Sequence, residues 1–288
     1  METTKEINYS NLKAKEIILN IIKYLFLILA VLVVLVPLVT VLFAAFKTNT
    51  ELYSTSVIAT PDNWFNFENF KTAWTQGNMA TGFKNTLIIT GLSLVATILS
   101  GTMTAYVLER LEFKGKGLIK FLFLTAALIP SITMTMSTFQ IIVGMGLFNT
   151  RFAVILLYAG TDIISITLFA QFLKNIPRSI DEAAIIDGAS YPRIFFQILL
   201  PLLKPAVVTI IIIKGIGFYN DFYTPNLYMK SSNLQTVSTA LYAFKGPYGT
   251  KWEVICAATI ITMIPTIILF VLLQNQIYSG LTTGAVKA

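Results

Sequence analysis

The chain is predicted to be an all-α, polytopic membrane protein with about six transmembrane helices, and three observations predict it. Hydrophobic residues fill 55% of its 288 positions. Charged residues fill only 12%, against roughly 25% in an average soluble domain. Apolar runs recur at about 24–46, 85–107, 118–142, 152–173, 202–220 and 255–276, each near the roughly 20 residues that a helix needs to cross a hydrocarbon layer about 30 Å thick.

The first run, Tyr24 to Phe46, exceeds the roughly 7–15 apolar residues of a signal-peptide core. It is expected to remain as the first span behind an N-terminal segment of residues 1–23, with residues 24–288 forming one transmembrane domain. The second run opens with Asn85-Thr86-Leu87, and the third carries Pro130 followed by Ser131, Thr133, Thr135, Ser137, Thr138 and Gln140. The fourth contains Asp162 and the fifth Lys214, and charges inside spans are costly enough to face a cavity or a partner. At 1.5 Å per residue both fall near mid-membrane. Two readings stand: an ion pair between neighbouring helices that lines a path, or Lys214 snorkelling to the surface while Asp162 caps a helix broken near Gly160. Asn220 and Asp221, at the end of the fifth run, are candidates for the path, for a cap or for a partner contact.

Charge gives the topology. With the N-terminus inside, the inside segments hold Lys5, Lys13, Lys15, Lys23, Arg110, Lys114, Lys116, Lys120, Lys174, Arg178, Arg193, Lys204 and Lys287, the majority of the 21 basic residues. Both termini are therefore expected to be cytoplasmic. The net charge of +7 is read as this topology and contact with anionic lipid, with no nucleic-acid partner. The two long outside segments, 47–84 with Trp64, Phe65, Phe67, Phe70 and Trp74, and 221–254, are read as interfacial aromatics and turns.

The chain has no histidine and a single cysteine, Cys256. Imidazole acid/base chemistry, His or Cys metal clusters and intrachain disulfides are excluded. Gly115-Lys116-Gly117 lacks the spacing and the hydroxyl of a phosphate-binding loop, so the chain is not expected to hydrolyse ATP. No catalytic, cofactor or metal residues are predicted.

The loop at 174–201 is more patterned than a connector needs. Ser179 with Glu182 reads as a capping box that starts a short helix at about Ile180, with Asp181 and Glu182 in its first turn. Gly188 suits a left-handed C′ position, and Pro192 suits the first turn of a second helix that runs to Pro201. Ile180, Ala183, Ala184 and Asp187 fall at i, i+3, i+4 and i+7, a face small enough for close approach by a partner.

Glu182-Ala183-Ala184, three residues, Gly188, nine residues, Ile198, one residue and Leu200-Pro201 resemble the EAA loop of binding-protein-dependent ABC importer permeases. Asn85-Thr86-Leu87, Tyr219-Asn220-Asp221-Phe222, Gln274 and the Gly280–Lys287 terminus make the chain similar to the second permease subunit of carbohydrate importers of the maltose type, although Tyr219 stands where that family usually has Trp.

The resemblance implies a type I ABC importer permease fold in a bacterial cell membrane and a non-catalytic role. It also implies a sibling permease as heterodimer partner, two ATP-binding subunits that use ATP and magnesium, an extracellular solute-binding protein and a carbohydrate cargo. Glu182, Ala183, Ala184, Asp187 and Gly188 would contact the ATPase, and the tail at 277–288 is either a loose end or a further contact with it. The hydroxyls after Pro130 either serve helix packing or bond sugar hydroxyls. Alternatives are an ABC permease for a polyol, glycerol phosphate or peptide, a stand-alone channel or secondary transporter, and an intramembrane enzyme.

Overall fold

In the computed structural model, the described residues are 9–160, 162–246 and 249–285. The helices run α1 Tyr9–Phe46, α2 Asn49–Ser54, α3 Glu68–Gln76, α4 Met79–Arg110, α5 Lys116–Ala127, α6 Ser131–Gly144, α7 Arg151–Ala159, α8 Ile163–Lys174 and α9 Ser179–Ile186. After α10 Tyr191–Arg193 comes a π-helical turn, Ile194–Leu199, and then α11 Leu200–Leu202, α12 Lys204–Asn220, α13 Tyr223–Tyr228, α14 Val237–Ala240 and α15 Trp252–Ala285. Two-residue strands, β1 Lys245–Gly246 and β2 Gly249–Thr250, precede α15.

Among the described residues, three helices are long and apolar enough to cross a membrane: Glu16–Phe46, Met79–Arg110 and Trp252–Gln274. The other three predicted spans are bent pairs, so six spans result only if each pair is one crossing. The run 118–142, expected as one helix, is broken: Lys116–Ala127 and Ile132–Gly144 meet at 105°. Pro130 supplies the cause, because it has no N–H to give, disfavours a helical residue before it and itself takes an extended backbone with φ −60° and ψ 127°. The fourth run bends by 43° between α7 and α8. The segments Tyr191–Leu202 and Lys204–Asn220 meet at 71°, where Pro201 and Pro205 each remove a backbone donor, and the ladder slips into the π turn just upstream.

Contacts divide the chain into two units, Met1–Ala73 with Pro247–Ile261 and Trp74–Gly246 with Thr262–Ala288. In the first, Asn69 donates to the carbonyls of Ala45 and Lys47 and closes the end of α1. Thr48 and Glu51 form a capping box on α2. Phe46 packs against Trp64, Phe67 and Phe70, so the aromatics of the first long segment build a small folded cluster.

The second unit is organised around α4. One apolar cluster joins Ala105 and Tyr106 of α4 to Phe169 and Leu173 of α8, Ala184 of α9, the π turn and α12. A second joins Ile89 of α4 to Ile142, Val154 and Tyr228. Gly101 permits the close approach of α4 and α8, since a Cβ there would sit 3.2 Å from the ring of Phe169.

Candidate functional site

The patterned loop folds into helix, turn, helix as its residues predict, but with a different start. Arg178 takes the helical conformation, Ser179 is already the first helical residue and no side chain caps α9. The Glu182 N–H is bonded to the Arg178 carbonyl, so the donor that the Ser179 hydroxyl was expected to meet is already taken.

The far end matches expectation. Gly188 has φ +78°, its N–H bonds Ile185, and the Ala189 N–H bonds Ala184. This is a Schellman closure, which a residue with a Cβ disfavours. Pro192 lies in the first turn of α10.

The predicted contact stripe is split. Ala184 is 7% exposed and Ile180 is half-buried, so both face the chain's own core. Glu182, Ala183, Ile185, Asp187 and Gly188 are exposed, and Ile186 is 85% exposed. The outward surface of α9 is therefore an apolar tip with acidic groups at either end.

Behind this surface α9 is tied to the last turn of α4. Arg110 donates from its terminal nitrogen to the Ile176 carbonyl at 2.8 Å, and its Nε stands 2.9 Å from Asp181 Oδ2. That contact is close but not aligned as a hydrogen bond: both Arg110 Nε and Asp181 Oδ1 are buried without a hydrogen-bond partner. Burial raises the Asp181 carboxyl above its usual range, against the lowering charges of Arg110 and Arg178. In the other direction Arg178 donates to the Glu109 carbonyl at 3.0 Å. A cavity of about 590 Å³ opens beside the pair, lined by Tyr106, Arg110, Arg178, Asp181, Glu182 and Tyr191.

Asp162 and Lys214 meet. Lys214 Nζ lies 2.8 Å from Asp162 Oδ2, and each side chain is about one-fifth exposed. Asp162 also accepts from the backbone N–H and the hydroxyl of Ser165, capping α8. The pair and the cap coexist, so the two sequence readings of Asp162 are compatible. At the same break the Thr97 hydroxyl donates to the Tyr158 carbonyl, an acceptor left over by the end of α7.

Asn220 is exposed at the end of α12. Asp221 accepts from Tyr158 Oη at 2.7 Å and from the Thr224 N–H. It caps the turn into α13 and fastens it to α7.

At the other end of α4, Asn85 is fully buried. Its amide donates to the carbonyls of Asn233 and Gln235 and its oxygen accepts from Arg151, while Thr86 accepts from the Val237 N–H. Tyr219 donates to the Thr262 carbonyl at 2.8 Å. The hydroxyls of Thr133 and Thr138 bond back to their own helix. Side chains from residue 275 onward, including the Gly280–Lys287 motif, lie outside the described residues, although the helical backbone continues to Ala285.

Residues 97–282 match the family described as binding-protein-dependent transport system inner membrane component. The chain belongs to this family. It is 32% identical to the diacetylchitobiose uptake system permease protein NgcG of Streptomyces coelicolor over 92% of this chain and 88% of that one. It is 33% identical to the melibiose/raffinose/stachyose import permease protein MelC of Bacillus subtilis over 88% and 91%. Its fold matches a crystal structure of a bacterial ABC transporter that imports the acidic polysaccharide alginate, with a TM-score of 0.79 and 18% identity over 96% of this chain and 99% of that one.

The inner membrane component is thus a multi-pass ABC permease with the type I fold. Sequence reasoning missed the Arg110 and Arg178 contacts, because arginines that flank apolar runs carry a topology signal that hides any structural role. Thr97 was equally silent, since a lone threonine in a span has no spacing that marks it.

Proposed function

We propose that this chain is the transmembrane permease subunit of an ATP-driven, binding-protein-dependent carbohydrate importer whose cargo is an oligosaccharide. The observation that carries this reading is the outward surface of α9 and its Gly188 turn, presented by a permease whose relatives bear the names of diacetylchitobiose and of melibiose, raffinose and stachyose import systems. In this reading the chain pairs with a sibling permease and two ATP-binding subunits, which use ATP and magnesium, and receives cargo from an extracellular binding protein.

Glu182, Ala183, Asp187 and Gly188, with Ile186, meet the ATPase, and Ala184 holds α9 against its own permease. ATPase closure moves α9 and shifts the spans between inward-open and outward-open states. Asp162 and Lys214 belong to the wall of the path, and Asn220 and Asp221 to the rim of its extracellular mouth. Both termini and α9 are cytoplasmic, in agreement with the basic residues of their segments.

The test is co-purification with the ATPase and ATP-dependent uptake of a labelled oligosaccharide into vesicles, comparing wild type with Glu182→Lys and Gly188→Pro. Loss of both activities with normal membrane insertion is expected. Normal association and uptake by both variants would refute the reading.

A further inference from the structure

An eight-residue helix is too short to hold its own orientation in water. α9 is joined to the chain by Pro177 on one side and by the left-handed Gly188 on the other. Neither joint continues the α-helical ladder, since Pro177 lacks an N–H and the left-handed Gly188 ends α9, so contacts from the side help set the direction of α9.

The polar grip comes from α4, beside an apolar cluster in which Ala184 of α9 joins residues of α4, α8 and the π turn. Arg110 reaches out of the last turn of α4 to the Ile176 carbonyl and to Asp181, and Arg178 reaches back to the Glu109 carbonyl. The two arginines cross, and each supplies donors to carbonyls that a helix end or a turn leaves open. Ala184 and Tyr106 are buried in one cluster behind them.

α4 is the longest helix of its unit, about 48 Å at 1.5 Å per residue. Along its length Gly101 abuts Phe169, Thr97 closes the break between α7 and α8, and Asn85 with Thr86 grips residues 233–237.

We infer that Arg110 and Asp181, with Arg178, are positioning residues for energy coupling: they fasten α9 to α4, so that α4 carries the stroke of α9 through the permease to the α7–α8 break and the 233–237 segment. This rests on the reading of α9 as the ATPase contact. Through this linkage, loss of the Arg110–Asp181 contact leaves α9 docked but slack against the spans, and ATP is hydrolysed with little transport.

The experiment uses the complete transporter in proteoliposomes, with sugar uptake and ATP hydrolysis measured together for wild type, Arg110→Gln, Asp181→Asn and the double variant. Arg178, Ile176 and Glu109 stay intact. Co-purification of the ATPase is scored separately for every variant.

Each single variant is expected to keep the ATPase bound and to lower sugar imported per ATP by about fivefold or more. The double variant is expected to fall no further, because both changes cut one link. Singles within about twofold of wild type, or losses that multiply in the double variant, would overturn the inference.

Asp181→Asn keeps the side chain's shape and removes only its charge, so it carries the test even if Arg110→Gln fails to fold. A wild-type chain that fails to bind the ATPase would instead refute the reading of α9 itself.

Discussion

Lys214 Nζ and Asp162 Oδ2 stand 2.8 Å apart, joining the middle of α12 to the residue that caps α8. The contact stitches a broken span to its neighbour, with both side chains about four-fifths buried. Removing one partner therefore strands the other charge. Lys214→Met and Asp162→Asn are each expected to lower stability by about 2 kcal/mol, short of the 3–5 kcal/mol of a fully dry pair because both groups retain some exposure. The double variant should lose less than the sum, which thermal unfolding in detergent checks.

Asn85 is satisfied on three sides by groups from α7 and the 233–235 segment. Asn85→Leu leaves Arg151 and two carbonyls without their partner, an expected cost of about 3 kcal/mol. Limited proteolysis between residues 221 and 246 should accelerate in the variant, while cleavage near α9 stays at the wild-type rate.

Gly188 has φ +78° and nothing within 4 Å of where a Cβ would stand, so the penalty of substitution there is backbone strain and not collision. Gly188→Ala is expected to cost about 1–2 kcal/mol locally, Gly188→Asn less, and Gly188→Val more. ATP-dependent uptake should follow the order Gly, Asn, Ala, Val.

Asp181 sets a pH signature. Burial raises its carboxyl above the usual value, so the folded chain holds that proton more tightly than the unfolded chain. The stabilisation from this group is present below the ordinary carboxylate range and is lost as pH rises through the raised value. At neutral pH Asp181→Asn should therefore unfold at a temperature equal to or above that of wild type. Arg110→Met, which leaves the carboxylate buried without its counter-charge, should fall below by about 3 kcal/mol. Melting curves at pH 7 and at a pH below the ordinary carboxylate range decide the matter, with the gap between wild type and Asp181→Asn closing in acid.

The apolar runs located the membrane helices because burial in lipid demands continuous hydrophobic length, whatever the packing. They did not show that Pro130 splits the third run at 105°, since a proline inside a span kinks or breaks it depending on neighbours that a local pattern does not contain. Gly188 and Pro192 were legible because each has one strong backbone preference. Ser179 misled because Arg178 entered the helix first and took the bond that the cap would have made. Asp162 and Lys214 were found by their charge alone, whereas Arg110 and Arg178 looked like ordinary flanking cations until the fold brought the end of α4 beside α9.

The central claim is that the exposed tip of α9 is where this permease meets its ATPase, and cysteine crosslinking tests it most directly. With the only cysteine removed as Cys256→Ser, Ile186→Cys at the 85% exposed tip should crosslink to the ATPase in native membranes, with a yield that changes on adding ATP. Phe65→Cys, 82% exposed in the first unit, should give no such product. A chain that transports sugar normally yet gives no crosslink from position 186, with or without ATP, would contradict the account.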